Sequence, residues 1–287
     1  MSLIANPQWY GAGHQAKFYI GGTMMGNYIG PAELPGYEIN ENAQAVEGIG
    51  SYRDIEETPG RHEPSLSGVV RISDPVPLKT SLLVRNSITG VLQSFTCSIV
   101  TPQHTQVFHE CYFQEFRLQY QENGDVTANF QIQALYASAP SAGNATPVAQ
   151  TSAVLRWQHL DFLSFGEGGN LLQYLRSVNI GITNNILRDG FRPDSDASYP
   201  RAAWILIPGM EKLQVSYQFR TPMGAAATLN LSKGQSVLTA MNPTNPTALL
   251  TLTIANNHLS RRGGQQAGAN AVLTYTADMA SYGLIIS

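Results

Sequence analysis

Residues 38–73 and 178–220 are laid out on one plan, and a plan used twice constrains the fold more than any single motif. In each, a short alternating run leads into a polar excursion, and the excursion ends at a Pro-Gly step, Pro59-Gly60 or Pro208-Gly209. A second alternating run follows, marked by Leu66, Val69, Val70 and Ile72 in the first copy and by Leu213, Val215, Tyr217 and Phe219 in the second. An X-Pro pair closes each copy, Asp74-Pro75 and Thr221-Pro222. The two Pro-Gly steps and the two X-Pro pairs lie nearly the same distance apart along the chain. Period-two alternation is the pattern of a half-buried strand, so the spacing predicts a duplicated β module.

The remaining segments fit that frame. Residues 1–16 read as an irregular arm. Residues 17–29 read as a strand or a pair of strands turning at Gly21-Gly22. Phe95, Cys97 and Ile99 fall in a strand ended by Pro102, and residues 111–120 form an aromatic-rich strand. Asn123-Gly124 favours a type I′ hairpin turn into residues 126–136, where Val126, Ala128, Phe130, Ile132 and Ala134 alternate with polar residues. Residues 138–152 are small, polar and without periodicity, and read as a linker. The expected organisation is an arm at 1–16, a first domain at 17–137, the linker, and a second domain at 153–287. Asp74-Pro75 and Thr221-Pro222 have the form of helix starts, so one short helix is expected after each copy. Residues 202–207 read as a run buried on both sides or held at an interface, and residues 261–268 as a glycine-rich loop in the place of the Asn123-Gly124 turn. The fold class is mainly β: two tandem β-barrel or sandwich domains, each with one short helix and a long extended loop.

Composition narrows the function. Only 13% of residues are charged while 43% are hydrophobic, a low charge fraction that suits a surface covered by other subunits or a secreted β protein. A net charge of −3 and no basic run beyond Arg261-Arg262 leave no face for gripping phosphates. The N-terminus lacks the pattern of a secretory signal, and no apolar run is long enough to span a membrane as a helix. With two cysteines, Cys97 and Cys111, a disulfide framework is excluded and synthesis inside a cell is expected. His104, His109 and the cysteines lack the paired spacing of a zinc site. Asp194-Ser195-Asp196 lacks the other ligands of a calcium loop, and Asp54, Glu56 and Glu57 read as exposed partners of Arg53 and Arg61. Neither a nucleophile elbow nor a phosphate loop occurs. The expectation is a non-enzyme with no catalytic residues, no cofactor and no metal.

Several motifs resemble those of bacteriophage tail tube proteins. They are Ile39-Asn40, Gly48-Ile49-Gly50-Ser51, Pro59-Gly60-Arg61-His62-Glu63 and Ser67-Gly68 in the first half, and Val178-Asn179-Ile180-Gly181-Ile182-Thr183-Asn184-Asn185 in the second. The hairpin over residues 119–136 and the ending over 256–279 are similar too. The resemblance implies a small β-barrel or sandwich with a helix beside it and a long loop reaching a neighbouring ring. Two such domains in one chain imply a homotrimeric, pseudo-hexameric ring that stacks into a virion tail tube, made in the host bacterial cytoplasm. DNA would pass through the lumen unbound by sequence. The implied partners are copies of the chain itself, tape measure, terminator and distal tail proteins, and in a contractile tail the sheath. The polar excursions are the expected inter-subunit contacts: Ala43, Val46, Ile49, Tyr52, Arg53 and Ile55 in the first, and Arg188, Phe191, Arg192, Tyr199 and Arg201 in the second. The alternative is a non-catalytic, two-domain β protein that binds carbohydrate or another ligand on an aromatic platform.

Overall fold

The computed structural model of the protein describes residues 16–28, 36–40, 44–47, 54–58, 60–73, 82–86, 88–101, 104–142, 154–165, 174–222, 234–241, 248–267, 272–281 and 283–286. Antiparallel strands do nearly all the building. The first half holds β1 (Lys17–Ile20), β2 (Thr23–Tyr28), β3 (Gly36–Asn40), β4 (Gln44–Glu47), β5 (Asp54–Thr58), β6 (Glu63–Ile72), β7 (Phe95–Val100), β8 (His104–Gln121), β9 (Thr127–Gln133), β10 (Tyr136–Ala137) and β11 (Ser141–Ala142). The second holds β12 (Leu160–Phe165), β13 (Leu175–Thr183), β14 (Ile186–Asp189), β15 (Ile205–Pro208), β16 (Lys212–Pro222), β17 (Gly234–Met241), β18 (Ala248–Ala267), β19 (Val272–Ser281) and β20 (Gly283–Ile286).

The first half closes on itself. β1 pairs with β2, β2 with β6, β6 with β9, β9 with β8, β8 with β7, and β7 with β1 again. Six strands in a closed circuit leave no bare edge along it. The alternation seen in the sequence is what fills the interior: along β9, Ala128, Phe130 and Ile132 are buried and Asn129 and Gln131 are exposed. Phe130 stacks on Phe18 at 4.6 Å and meets Phe113 edge-on at 6.3 Å. The turn from β1 to β2 needs left-handed backbone, and Gly21 (φ 56) and Gly22 (φ 85) supply it without steric cost.

The second half reuses the pairing scheme. β12 pairs with β17, β17 with β18, β18 with β19, β19 with β16, and β16 with β13. These match β1·β7, β7·β8, β8·β9, β9·β6 and the pairing of β6 with β2 and β3. The short hairpins β4·β5 and β14·β15 stand at the same point of each scheme, ahead of β6 and β16. Even an irregularity recurs: one extra residue, Gln114, interrupts the β8·β9 ladder, and Ser260 interrupts β18·β19 at the matching place. Low identity between the halves therefore hides a close match in strand order and register.

Several expectations need correction. Among the described residues helical conformation is confined to a 3-10 turn at Trp157–His159 and to Tyr174. Residues 82–86, expected to be helical, form turns, and Thr221-Pro222 ends β16; residues 74–81 and 223–233, where the rest of the two expected helices would run, lie outside the described residues. Residues 261–267 are the second half of β18, held in the ladder by β19. The linker composition at 138–142 does not keep that segment apart: Ser141 and Ala142 pair with Thr105 and His104, and Gln106 donates to the Ser138 carbonyl at 2.5 Å. In the turn from β8 to β9 only Asn123 has positive φ (60°), whereas type I′ requires two such residues. No helix among the described residues is long and apolar enough to cross a membrane.

Cys97 and Cys111 lie side by side in the barrel core, Sγ to Sγ 3.5 Å, as free thiols. Burial pushes the Cys97 thiol well above its ordinary range, with Cys111 beside it adding to the rise, and burial raises the Tyr120 phenol likewise. A raised folded-state pKa means that the unfolded chain ionises first as pH climbs. Stability from these groups is whole below the unfolded values, about 8.5 for a thiol and about 10 for a phenol, and falls as pH rises beyond them. Urea midpoints should be flat between neutrality and the thiol range and decline above it. In a Cys97→Ala variant the onset of decline should move up toward the phenol range. Both thiols should react with Ellman's reagent only in denaturant.

Candidate functional site

The two halves meet along β8, which pairs with β13. Because β8 has 18 residues, it outruns its own barrel. Along one edge it carries β9, β10 and β11; along the other it carries β7 and then β13. The change of neighbour follows a bulge at which Thr96 faces both His109 and Glu110, with Glu110 at φ 49°. A bulge bends a strand and re-aims it, which suits a strand shared between a barrel and the next repeat. Beyond it, Glu115 to Gln121 of β8 pair with Thr183 to Ser177 of β13.

That pairing creates one sheet with two unlike faces. One face is core: Phe116, Leu118 and Tyr120 of β8 lie level with Ile182, Ile180 and Val178 of β13, all at most 3% exposed. The other face is polar, with Gln119, Asn129, Gln131, Gln214 and Gln218 exposed. A groove of about 310 Å³ runs across it, lined by Arg117, Asn179, Gly181, Thr183, Lys212 and Gln214 among others. The bulged residue Gln114 has its carbonyl capped by the Asn184 backbone N–H at 2.9 Å, while the Asn184 side chain donates to the Phe113 and Leu83 carbonyls, each at 3.0 Å.

Beyond Asn184 the second excursion folds back on the first barrel. The Arg188 guanidinium donates to the carbonyls of Ala134 and Pro64, each at 2.7 Å, and to the Gln133 side chain. Burial lowers its pKa from the ordinary value; Glu63 opposes that shift and Arg61 adds to it. His62 N–H donates to the Arg201 carbonyl at 2.8 Å, and the Arg61 side chain reaches the Gly190 carbonyl at 3.3 Å. Tyr136, Tyr199 and His109 pack together under this fold-back, with ring centroids 5.4 and 6.0 Å apart.

The loop has its own frame. Arg192 lies over the rings of Tyr199 and Trp204 at 5.3 and 5.0 Å and pairs with Asp196 at 3.2 Å. Backbone N–H groups of Tyr199 and Ser198 bond the Asp196 carboxylate and hold its pKa below the usual range. The acidic loop at 194–196 thus uses Asp196 as a turn cap. Gly190 (φ 75) is obligatory here, since a Cβ would lie 2.3 Å from Trp204 Cδ1.

Of the contact residues expected from the sequence, Arg188, Arg192, Tyr199 and Arg201 are brought together in this intramolecular fold-back. Phe191 is 49% exposed. Residues 202–207, expected to be buried on both sides or held at an interface, are not buried on both sides within the chain: Ala202, Ala203 and Leu206 are buried, while Trp204, Ile205 and Ile207 stand out with Leu187 and Met210. Val46 and Ile55 lie on β4 and β5; Ala43, Ile49, Tyr52 and Arg53 lie outside the described residues. Sequence reasoning missed the junction residues 115–121 and 177–183, whose signal was the length of alternation in residues 104–121. His104 bonds Thr101, and His109 bonds Ser138; no group of three or more His, Cys, Asp or Glu among the described residues is placed to hold a metal.

Comparison with known families finds no family model that matches the chain. Comparison with curated proteins finds no match either.

Removing the Arg188 guanidinium would strand the Ala134 carbonyl at a half-buried site and leave the Pro64 carbonyl with the Ala134 N–H alone. Arg188→Ala should cost about 2–3 kcal/mol, the worth of charge-assisted hydrogen bonds, read as a lower urea midpoint and faster proteolysis within residues 186–208. Arg188→Lys should recover little, since one ammonium cannot reproduce the fork.

Proposed function

We propose that the chain is a structural subunit that assembles head to tail with copies of itself into rings, and that the rings stack into the tail tube of a bacteriophage. The observation that carries this reading is the repeated strand scheme joined edge to edge through β8 and β13. A module that extends a sheet by adding its own repeat is built to go on adding. Two repeats per chain give a six-repeat ring from three copies, the pseudo-hexamer that the sequence resemblance implies.

The polar face of the joined sheet supports a conduit. It is dominated by amides and hydroxyls, and its charges, Glu38, Glu63 and Glu115 against Arg71, Arg117, Lys212 and Arg220, are nearly balanced. Such a surface gives a polyanion neither a strong grip nor strong repulsion. The outward face of the β14·β15 hairpin supports contact with a further subunit, since Leu187, Ile205, Ile207 and Met210 are each at least 41% exposed, an apolar surface with a use for a partner. The ligand-binding alternative is less well served: the ring face of Trp204, the best candidate platform, already carries Arg192.

Negative-stain microscopy of concentrated protein should show three-fold rings with a central hole, and tubes built from them. Deleting residues 48–57 should leave soluble subunits that no longer form tubes. A persistent monomer that binds sugars would overturn the proposal.

A further inference from the structure

The internal junction also defines what is missing at the two outer edges. In β8, the edge that carries β7 goes on to carry β13. In β18, the edge that carries β17 carries no described strand over residues 258–267, where β19 occupies the opposite edge. At the other end of the sheet, β3 stands where β13 stands in the second repeat, and over residues 36–39 its described partner is β6. We infer that residues 258–267 of one copy accept residues 36–39 of a second copy as an antiparallel strand, with Gly36 opposite Gln265, Tyr37 opposite Gly264, Glu38 opposite Gly263 and Ile39 opposite Arg262. This rests on the head-to-tail reading above and adds to it the edges, the partner and the register.

The register follows from superposing the two ladders. Ser260 in β18 matches the bulged Gln114 in β8, so Arg261, Arg262, Gly263 and Gly264 match Glu115, Phe116, Arg117 and Leu118. Ser67 of β6 and Ser216 of β16 hold matching places opposite β9 and β19, so Gly36, Tyr37, Glu38 and Ile39 match Asn179, Ile180, Gly181 and Ile182. The pairs seen between β8 and β13 then translate directly.

Three features favour this partner. The first is size. At the internal junction Arg117 lies opposite Gly181, close enough for its Cγ to sit 4.0 Å from where a glycine Cβ would be. At the inferred junction the large and small residues exchange sides, Glu38 opposite Gly263, and Tyr37 meets Gly264. Two adjacent glycines weaken a strand unless neighbours fill the space; β19 sets Tyr275 across from Gly264 on one side, and Tyr37 would set a second aromatic residue across from it on the open side. The second is exposed apolar surface. Ile180 is 1% exposed under β8, whereas its counterpart Tyr37 is 40% exposed beside the open edge. The third is charge: Glu38, opposite Gly263, arrives on the face of the sheet to which Arg261 also belongs. The bulge itself adds a demand, because the Gln114 carbonyl is capped by the strand that β13 brings, and Ser260 repeats that bulge.

Directly opposite residues bring their Cβ atoms within disulfide range, and a one-residue slip turns a side chain to the other face of the sheet. Full-length chains carrying Glu38→Cys are therefore mixed with chains carrying Gly263→Cys under mild oxidation, with Gly264→Cys as the off-register control. The first mixture should give a disulfide-linked pair of chains, and the control mixture should not. Hydrogen exchange on the unaltered protein gives a second reading, with amides in 36–39 and 262–265 slowing as concentration drives assembly. Linked rings that never stack would support the register while removing the tube. Assemblies that link through Gly264→Cys, or that form with no added protection at these amides, would overturn the register alone. A chain that stays monomeric and unprotected at every concentration would overturn both.

Discussion

Backbone N–H and C=O groups on a strand edge need partners, and this demand organises the molecule at every scale. Inside the first half it is met by closure, as six strands return to their start around an aromatic core. Between the halves it is met by sharing: β8 is long enough to complete its barrel and still offer an edge to β13. The bulge at Glu110 makes the two duties compatible, because a straight strand of that length could not follow the barrel wall and leave it. The apolar residues on one face then give the shared sheet its burial. Pairing supplies direction and register; packing supplies the free energy.

The fold-back of residues 186–204 adds a clamp of a different kind. Strand pairing fixes how the repeats lie edge to edge but leaves the corner where β9 runs into β10 with carbonyls to satisfy. Arg188 meets the one on Ala134 and, with the same planar group, the Pro64 carbonyl of the neighbouring β6, and the aromatic stack of Tyr136, Tyr199 and His109 closes over the site. The excursion that reads in sequence as an inter-subunit contact is thus occupied on its inner face within the chain, while its outer face stays apolar and exposed.

Much of the strand content was legible because alternation has a simple physical cause: one face of each strand meets the core. Residues 126–134 and 213–219 announce themselves in this way, and the duplicated plan does so through Pro-Gly steps that no strand interior favours. The joining of the two halves was not legible, since it depends on which edge of residues 115–121 faces which neighbour, and an edge leaves no mark in a hydropathy pattern. Gly263-Gly264 reads as a loop for a related reason. Local rules count the entropy that glycine loses, while the ladder with β19 outweighs it. Thr221-Pro222 has the form of a helix start and yet closes β16, because proline also suits the end of a strand. The excursion at 188–201 was found by its length, but what it holds depends on Ala134 and Pro64, far away in sequence.

Fusion of two repeats in one chain has a kinetic consequence. The junction between β8 and β13 forms between parts of one molecule, at an effective concentration set by the connecting segment and independent of how much protein is present. It is complete before two copies meet. In a closed head-to-tail ring of this chain, half of the repeat-to-repeat contacts are therefore made during folding, and only the others respond to concentration. The two kinds of contact are then free to differ in strength, with a permanent seam inside each subunit and a reversible one between them.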